Sequence, residues 1–275
     1  MVAAARAIEA TRPDSLAQDG FARYFVRAAG PSGVWPVHWH DVPGGAANPL
    51  WGRLGRYFGL RTRVLDDFLL GAVRAGAGQV VLLGAGLDTR AFRLALPAGC
   101  PVFELDRPDV LAFKQEVLDG LGATANAART TVAVDLCEDW VRPLREAGFD
   151  PRVPTAWLAE GLLLYLPADA EHRLVLKVDR LAAPGSCLAY EVKLGVEHRT
   201  SAIYRSAKEQ IGVDLTALFD AGPRPDSAGA LRTRGWETTV RTPFDFAAEH
   251  GADLVPERHD ALAGNRWVFA NRPAR

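Results

Sequence analysis

The chain has 275 residues, 48 % of them hydrophobic, which fits one large α/β domain with a substantial core and excludes a disordered chain. Lys plus Arg number 32 against 33 Asp plus Glu, so the formal net charge of −1 gives no reason to expect nucleic acid or an anionic membrane as partner. The three cysteines, Cys100, Cys137 and Cys187, lack C-x-x-C spacing and read as buried, reduced thiols of a cytoplasmic protein. The opening MVAAARAIEATRPD reaches Glu9 before an apolar run of signal-peptide length forms. The apolar runs at 80–83 and 162–166 are too short to cross a bilayer, so a soluble, unprocessed protein is expected.

Taken in chain order, the first 35 or so residues read as helix, with an amphipathic stretch at 15–28. A Gly/Pro-rich loop or lid follows at 30–49, carrying Trp35, His38, Trp39 and His40. A helix near 61–75 leads into a buried-type strand at 79–83, ended by Gly84. Helix 88–94, strand 102–105, helix 108–120 and strands 131–134 and 155–159 come next. An amphipathic helix at 168–181 stops at Ala-Pro-Gly, and strands at 187–192, 237–240 and 266–270 complete the pattern. The alternation predicts a doubly wound, mostly parallel seven-stranded sheet of Rossmann-like α/β type. No internal repeat is visible, and no linker separates two domains. A single domain is expected: 1–75 as N-terminal helical or lid region, 76–195 as cofactor-binding core, 196–235 as helical cap insertion, and 236–275 as final strands.

The sharpest local signal is VVLLGAGLDTRAF at 80–92, where an apolar strand runs into Gly84-Ala85-Gly86 and then a helix. Glycines there let the backbone turn tightly and let a ligand approach, although a plain left-handed turn would read the same way. Asp106 ends the second strand 22 positions after Gly84, the spacing at which an acid accepts both hydroxyls of a ribose. Asp135 and Leu136 end the third strand, where an acid faces an adenine amino group and the leucine packs on the ring. Any one of these acids could instead cap the following helix. A dinucleotide site wants a third glycine where Thr89 stands, and Asp88 would repel a pyrophosphate while suiting a cationic sulfonium. The pattern therefore favours S-adenosylmethionine over a nicotinamide cofactor.

Over nearly its whole length the sequence resembles the leucine carboxyl methyltransferase family, in particular its bacterial, actinomycete-type branch of S-adenosylmethionine-dependent O-methyltransferases. The resemblance rests on RAIEATRPD, DGFARYFV, RTRVLDDFL, LLGAGLDTRAFRL, FELDRPDVLAFK, VAVDLCEDW, PTAWLAEGLLLYLP and LAAPGS, in that order. It implies the class I methyltransferase form of the fold. It also implies that Gly84 and Gly86, with Ala85 between them, flank the donor's methionine moiety. Asp106, with Arg107 beside it, would take the ribose, and Asp135 and Leu136 the adenine. Glu160, followed by Gly161, would meet the amino end, and Arg61 or Arg63 the carboxylate. Asp19-Gly20 stands where family members often have Asp-Pro, and residues 30–50 match nothing in the pattern, so the acceptor does not carry over.

Other polar residues have blander readings beside the sharp ones. His38 and His40 share a face if extended, which suits a metal or a general base, but no third ligand is recognisable and no metal is expected. Tyr165, after the fourth strand, lines a methyl-transfer pocket or packs in the core. His172, His198, His250 and His259 read as solvated, as do most of Arg199, Arg205, Arg232 and Arg234. Trp35, Trp39, Trp51, Tyr204 and Phe219 would close over the acceptor. The expected reaction is in-line methyl transfer to an oxygen nucleophile, a small aromatic or polyketide-like acid of secondary metabolism. A hydroxyl acceptor, a nicotinamide-dependent oxidoreductase and a non-catalytic nucleoside-binding module are the alternatives.

Overall fold

The computed structural model describes residues 1–194, 200–220 and 222–274, with Pro31 by its backbone alone. His198 and Arg199 lie outside the described residues. The chain divides into two compact units, one of residues 1–65, 194–219 and 241–265, the other of residues 66–193, 220–240 and 266–275.

The second unit holds the sheet. Its strands are β1 (Gln79–Leu83), β2 (Pro101–Asp106), β3 (Ala128–Ala133), β4 (Thr155–Ala159), β5 (Cys187–Lys193), β6 (Glu237–Arg241) and β7 (Asn265–Asn271), in the order β3-β2-β1-β4-β5-β7-β6. The four pairings among β1 to β5 are parallel, with Val80 level with Val102 on one side and Ala156 on the other. Arg272 N–H donates to Ser186 O just before β5, and Leu194 N–H donates to Gly264 O just after it, so β7 runs antiparallel. β1 and β4 are buried at every position, as a strand covered on both faces requires. Val81, Leu83, Phe103, Leu105 and Trp157 pack on one face with Trp140 and with Leu174 and Val178 of the helix Ala168–Leu181.

In the first unit, the helix α1 (Val2–Ala10) buries Ala3, Ala4, Ala5, Ala7 and Ile8, small side chains that let neighbours approach its axis closely. Residues 15–21 are not helical, against the sequence expectation. Leu16 N–H donates to Glu9 Oε1, and Asp19 Oδ1 accepts from Phe21 and Ala22 N–H, so these acids fix a loop and the helix α2 spans only Ala22–Ala28. The segment 30–49 is a run of tight 3₁₀ turns at Gly30–Val34, Trp39–Asp41 and Gly45–Ala47. The long helix α3 covers Gly55–Arg74, beginning earlier than the sequence pattern suggested. Trp51 and Tyr204 are buried inside the first unit and belong to its packing. Burying such side chains stabilises by roughly 1.5–3 kcal/mol each.

The stretch 196–235, read from sequence as one cap, has two destinations. The helix Ala202–Ile211 belongs to the first unit, where Asn48 and Gln210 exchange amide hydrogen bonds at 3.2 Å. The helix Ser227–Arg232 belongs to the second and packs on Ala168–Leu181. Cys137 is exposed rather than buried, because it lies in the turn that follows β3; Cys100 and Cys187 are buried, and all three are free thiols. Among the described residues no helix is long and apolar enough to cross a membrane.

Candidate functional site

The strand order reverses between β1 and β4, and parallel sheets open a crevice at the carboxyl ends of strands where that happens. Gly84 follows β1 there, β2 ends in Asp106, and Glu160 follows β4. Gly84 and Gly86 have φ of +66° and +46°, in the left-handed region that favours glycine. A Cβ on Gly84 would lie 2.9 Å from Leu162 Cδ1, so the loop closes against the next strand's exit only without a side chain. Ala85 N–H donates to Leu105 O at 2.9 Å and Gly86 N–H to Asp106 Oδ2 at 2.6 Å, which ties the loop to the end of β2. Arg107 N–H donates to the other oxygen, Oδ1, at 2.7 Å. The Asp106 carboxylate is thus aimed by two backbone donors, and its remaining lone pairs can accept from a ligand.

Beside the loop lies a buried ion cluster that joins two residues singled out in the sequence, Asp88 and Glu160, to three that were not, Asp66, Arg90 and Arg93. Asp88 Oδ1 accepts from Arg90 N–H at 2.6 Å, which delays helix α4 to Arg90–Arg93, and Asp88 Oδ2 pairs with the Arg90 guanidinium. Arg90, 1 % exposed, also donates to Asp66 Oδ1 at 2.7 Å and to Glu160 Oε2 at 2.5 Å. Arg93 pairs with Asp66 and donates to Thr89 Oγ1 at 3.1 Å. Burial works to raise the Asp88 carboxyl, but Arg90, with Lys114 and Arg93, outweighs it and holds the carboxyl below the usual range. Burial alone would ease the proton off Arg90; Asp88, Glu160 and Asp66 instead keep it charged, well above its ordinary range. Asp66 and Arg90 stand in RTRVLDDFL and LLGAGLDTRAFRL, stretches that carry the family resemblance but in which neither residue was given a role. A charged residue inside such a stretch was the available signal.

The other sequence candidates fall as follows. Asp135 is exposed two residues past β3, and its Oδ1 accepts from Cys137 N–H at 2.8 Å. Leu136 is 8 % exposed and joins the core with Trp140 and Leu144. The Arg107 side chain is exposed and pairs with Asp109, so what it brings to the loop is its N–H. Gly161 has φ of +60°, directly after Glu160. Tyr165 ends a short 3₁₀ helix, Leu163–Tyr165, and is 46 % exposed. On α3, Arg61 is buried over the Phe58 ring at 4.6 Å, while Arg63 is exposed; two residues apart, they project about 200° apart around the helix. In the first unit His38 caps the turn Trp39–Asp41, its Nδ1 accepting from His40 N–H at 3.2 Å with the rings stacked at 5.0 Å. Each histidine of that pair therefore has a local structural partner. His172, His259, Arg205, Arg232 and Arg234 are exposed, whereas His250 is half-buried, with Nδ1 3.0 Å from Phe246 O. Among the described residues no group of three His, Cys, Asp or Glu could hold a metal ion.

The sequence pattern of the leucine carboxyl methyltransferase family matches residues 1–179. A Streptomyces coelicolor protein named as a candidate S-adenosyl-L-methionine-dependent methyltransferase is 59 % identical over 99 % of this chain and 91 % of its own. A similarly named Mycobacteroides abscessus protein is 44 % identical over 96 % and 87 %. In fold, the chain is similar to a DUF574-family protein from Streptomyces avermitilis (TM-score 0.59, 16 % identity), over 91 % of this chain and 96 % of the other. It is also similar to a candidate methyltransferase from Thermobifida fusca (TM-score 0.55, 19 % identity), over 92 % and 94 %.

Proposed function

The chain belongs to the leucine carboxyl methyltransferase family, and from that membership we propose that it transfers a methyl group to a carboxylate oxygen of a small acidic acceptor. It is an S-adenosylmethionine-dependent methyltransferase. The donor fits the residues present. Gly86 leaves room for close approach, and Asp106, aimed by two backbone donors, is proposed to accept the two ribose hydroxyls. Glu160 is proposed to meet the amino end, and Asp135 and Leu136, just past β3, the adenine. When bound, the donor supplies a methyl group already activated on a sulfonium. The protein's own part is to hold, align and keep water away. Tyr165, exposed beyond β4, is proposed to line the acceptor side.

The carboxyl reading is carried by the state of the acids around the loop. Asp88 is held below the usual carboxylate range, Asp106 accepts two backbone N–H groups, and Glu160 is paired with Arg90. The Asp88 carboxylate, held in its charged form, is a weak base, and the named oxygens of Asp106 and Glu160 are already engaged by N–H donors. An acid acceptor, with a pKa near ~4, is already ionised and needs none. A phenol, near ~10, would gain roughly 10²–10⁴-fold from a base. A small aromatic or polyketide-like acid is proposed, on the strength of the half-buried aromatic side chains Trp35, Trp39 and Phe219. The expected product is a methyl ester, cleaved by alkali, formed at a rate flat between pH 6 and 8. An alkali-stable methyl ether, with turnover lost in His38→Ala or His40→Ala, would overturn the carboxyl reading.

A further inference from the structure

The segment that leaves β4 runs beside the glycine loop. Gly161, with φ of +60°, leads into it, and of residues 161–166 only Leu163 is buried. Leu162 nevertheless stands against Gly84, where an added Cβ would meet its Cδ1. Hydrogen bonds from residues 220–224 of the same unit fasten this segment. Arg224 Nη1 donates to Leu163 O at 2.7 Å and Nη2 to Leu166 O at 2.9 Å, while Asp220 N–H donates to Leu164 O at 3.1 Å. These oxygens belong to the turn Leu163–Tyr165 and the residue after it, and the end of so short a helix leaves carbonyls without donors of its own. The same guanidinium donates to Glu171 Oε2 at 3.1 Å and to Asp220 Oδ1 at 2.8 Å, and Ser227 Oγ donates to Glu171 Oε1 at 2.7 Å. The Arg224 side chain is 8 % exposed and Glu171 is fully buried. The two acids therefore offset the cost of burying the cation, and the guanidinium also grips the main chain.

We propose that Arg224 is a positioning residue for the donor's methionine end: by gripping the carbonyls of Leu163 and Leu166 it keeps Leu162 against Gly84, and so keeps the glycine loop in the shape that receives the donor. This rests on the donor reading above and adds to it a residue 61 positions away from the turn it holds. The loop is tied to β2 through Ala85 and Gly86 on one side; on the side of β4 it is bounded by Leu162. A guanidinium suits the task because its planar fork meets two carbonyls and two carboxylates at once, which an ammonium on a flexible stem does not.

The test joins hydrogen exchange and calorimetry on the full chain. The amides of Tyr165 and Leu166 donate to Leu162 O and Leu163 O within the turn, so Arg224→Met should speed their exchange while β1 and β4 stay as slow as in wild type. Calorimetry then compares S-adenosylhomocysteine with 5′-methylthioadenosine, which share the adenosine and thioether but differ in the amino-acid end. Arg224→Met is expected to weaken S-adenosylhomocysteine about tenfold, the worth of roughly one hydrogen bond, and to leave methylthioadenosine unchanged. Arg224→Lys keeps a cation without the fork; it should show the same selective loss, and it decides the matter if Arg224→Met does not fold. Equal weakening of both ligands would mark Arg224 as merely structural and overturn the proposal. Faster exchange in the turn with S-adenosylhomocysteine bound as tightly as before would overturn it too. Failure of the wild-type chain to bind either ligand would instead remove the donor reading itself.

Discussion

In the second unit Arg90 gathers Asp66, Asp88 and Glu160 beneath a glycine loop, while in the first unit Arg56 gathers Glu9 and Asp14, at 2.8 and 2.9 Å, where the chain leaves α1. Both arginines are buried, but their acids respond to burial in opposite ways. Asp88 is held below the usual carboxylate range. Burial raises Glu9 above it, against the pull of the Leu16 N–H, Arg56 and Arg12. The hydrogen bonding differs accordingly. Both Asp88 oxygens are engaged by Arg90, whereas Glu9 Oε2 has no hydrogen-bond partner and Arg12 stands 3.7 Å from it. Burial alone does not decide whether a carboxylate stays charged; the charges around it and the aim of its donors do.

Several experiments would break or sharpen this contrast. Arg56→Ala removes one partner of a buried pair and is expected to cost about 3–5 kcal/mol of stability in denaturant unfolding; a loss near zero would mean that water replaces it. Asp106→Ala should cost less stability, losing the two backbone hydrogen bonds at the loop, and weaken donor binding by about 1.5–3 kcal/mol per lost hydroxyl contact; unchanged calorimetric affinity would remove Asp106 from the site. Gly84→Ala puts a Cβ at positive φ against Leu162 and should cost roughly 1–3 kcal/mol, read as a drop in melting temperature. Wild-type stability there would mean that the loop relaxes freely.

The smallest effects concern acid. The Asp88 contribution is present above its ordinary 3.8 and is lost as pH falls through its lower folded value. The Glu9 contribution is present below its ordinary 4.5 and is lost as pH rises through its higher folded value. Asp88→Asn should therefore flatten the acid limb of the stability profile. Glu9→Gln should compare better with wild type at pH 7 than at pH 4, and a pH-independent difference would contradict the assignment for Glu9.

β1 and β4 were legible to the residue because a strand buried on both faces must be an apolar run with sharp polar limits. The helices Pro108–Gly120 and Ala168–Leu181 were equally plain, with proline or Ala-Pro-Gly marking an end. β3 was placed too late, because ARTTVA has a single buried position and carries little apolar signal. Residues 15–21 read as helix because spacing shows periodicity but not that Asp19 and Glu9 would take the backbone donors. The glycine loop and Asp106 could be read from spacing. The Arg90 cluster could not, since its acids are far apart in sequence and meet only once the sheet has formed. The two-way division of 196–235 likewise follows from which surfaces its helices find, which no local pattern encodes.

The strand order also sets a schedule for assembly. β6 lies at the sheet's edge, and its neighbour in the sheet is β7, which is synthesised after it. Chains fold as they emerge, at roughly 5–20 residues per second. β1 to β5 can pair while synthesis continues, but β6 must wait through the helix Pro243–Glu249 and the loop beyond it until Asn265–Asn271 appears. During that interval β5 presents an open edge, the kind of surface on which a neighbouring nascent chain could add a strand. The closing step of this sheet is an insertion, and the last strand made is the one that removes the risk.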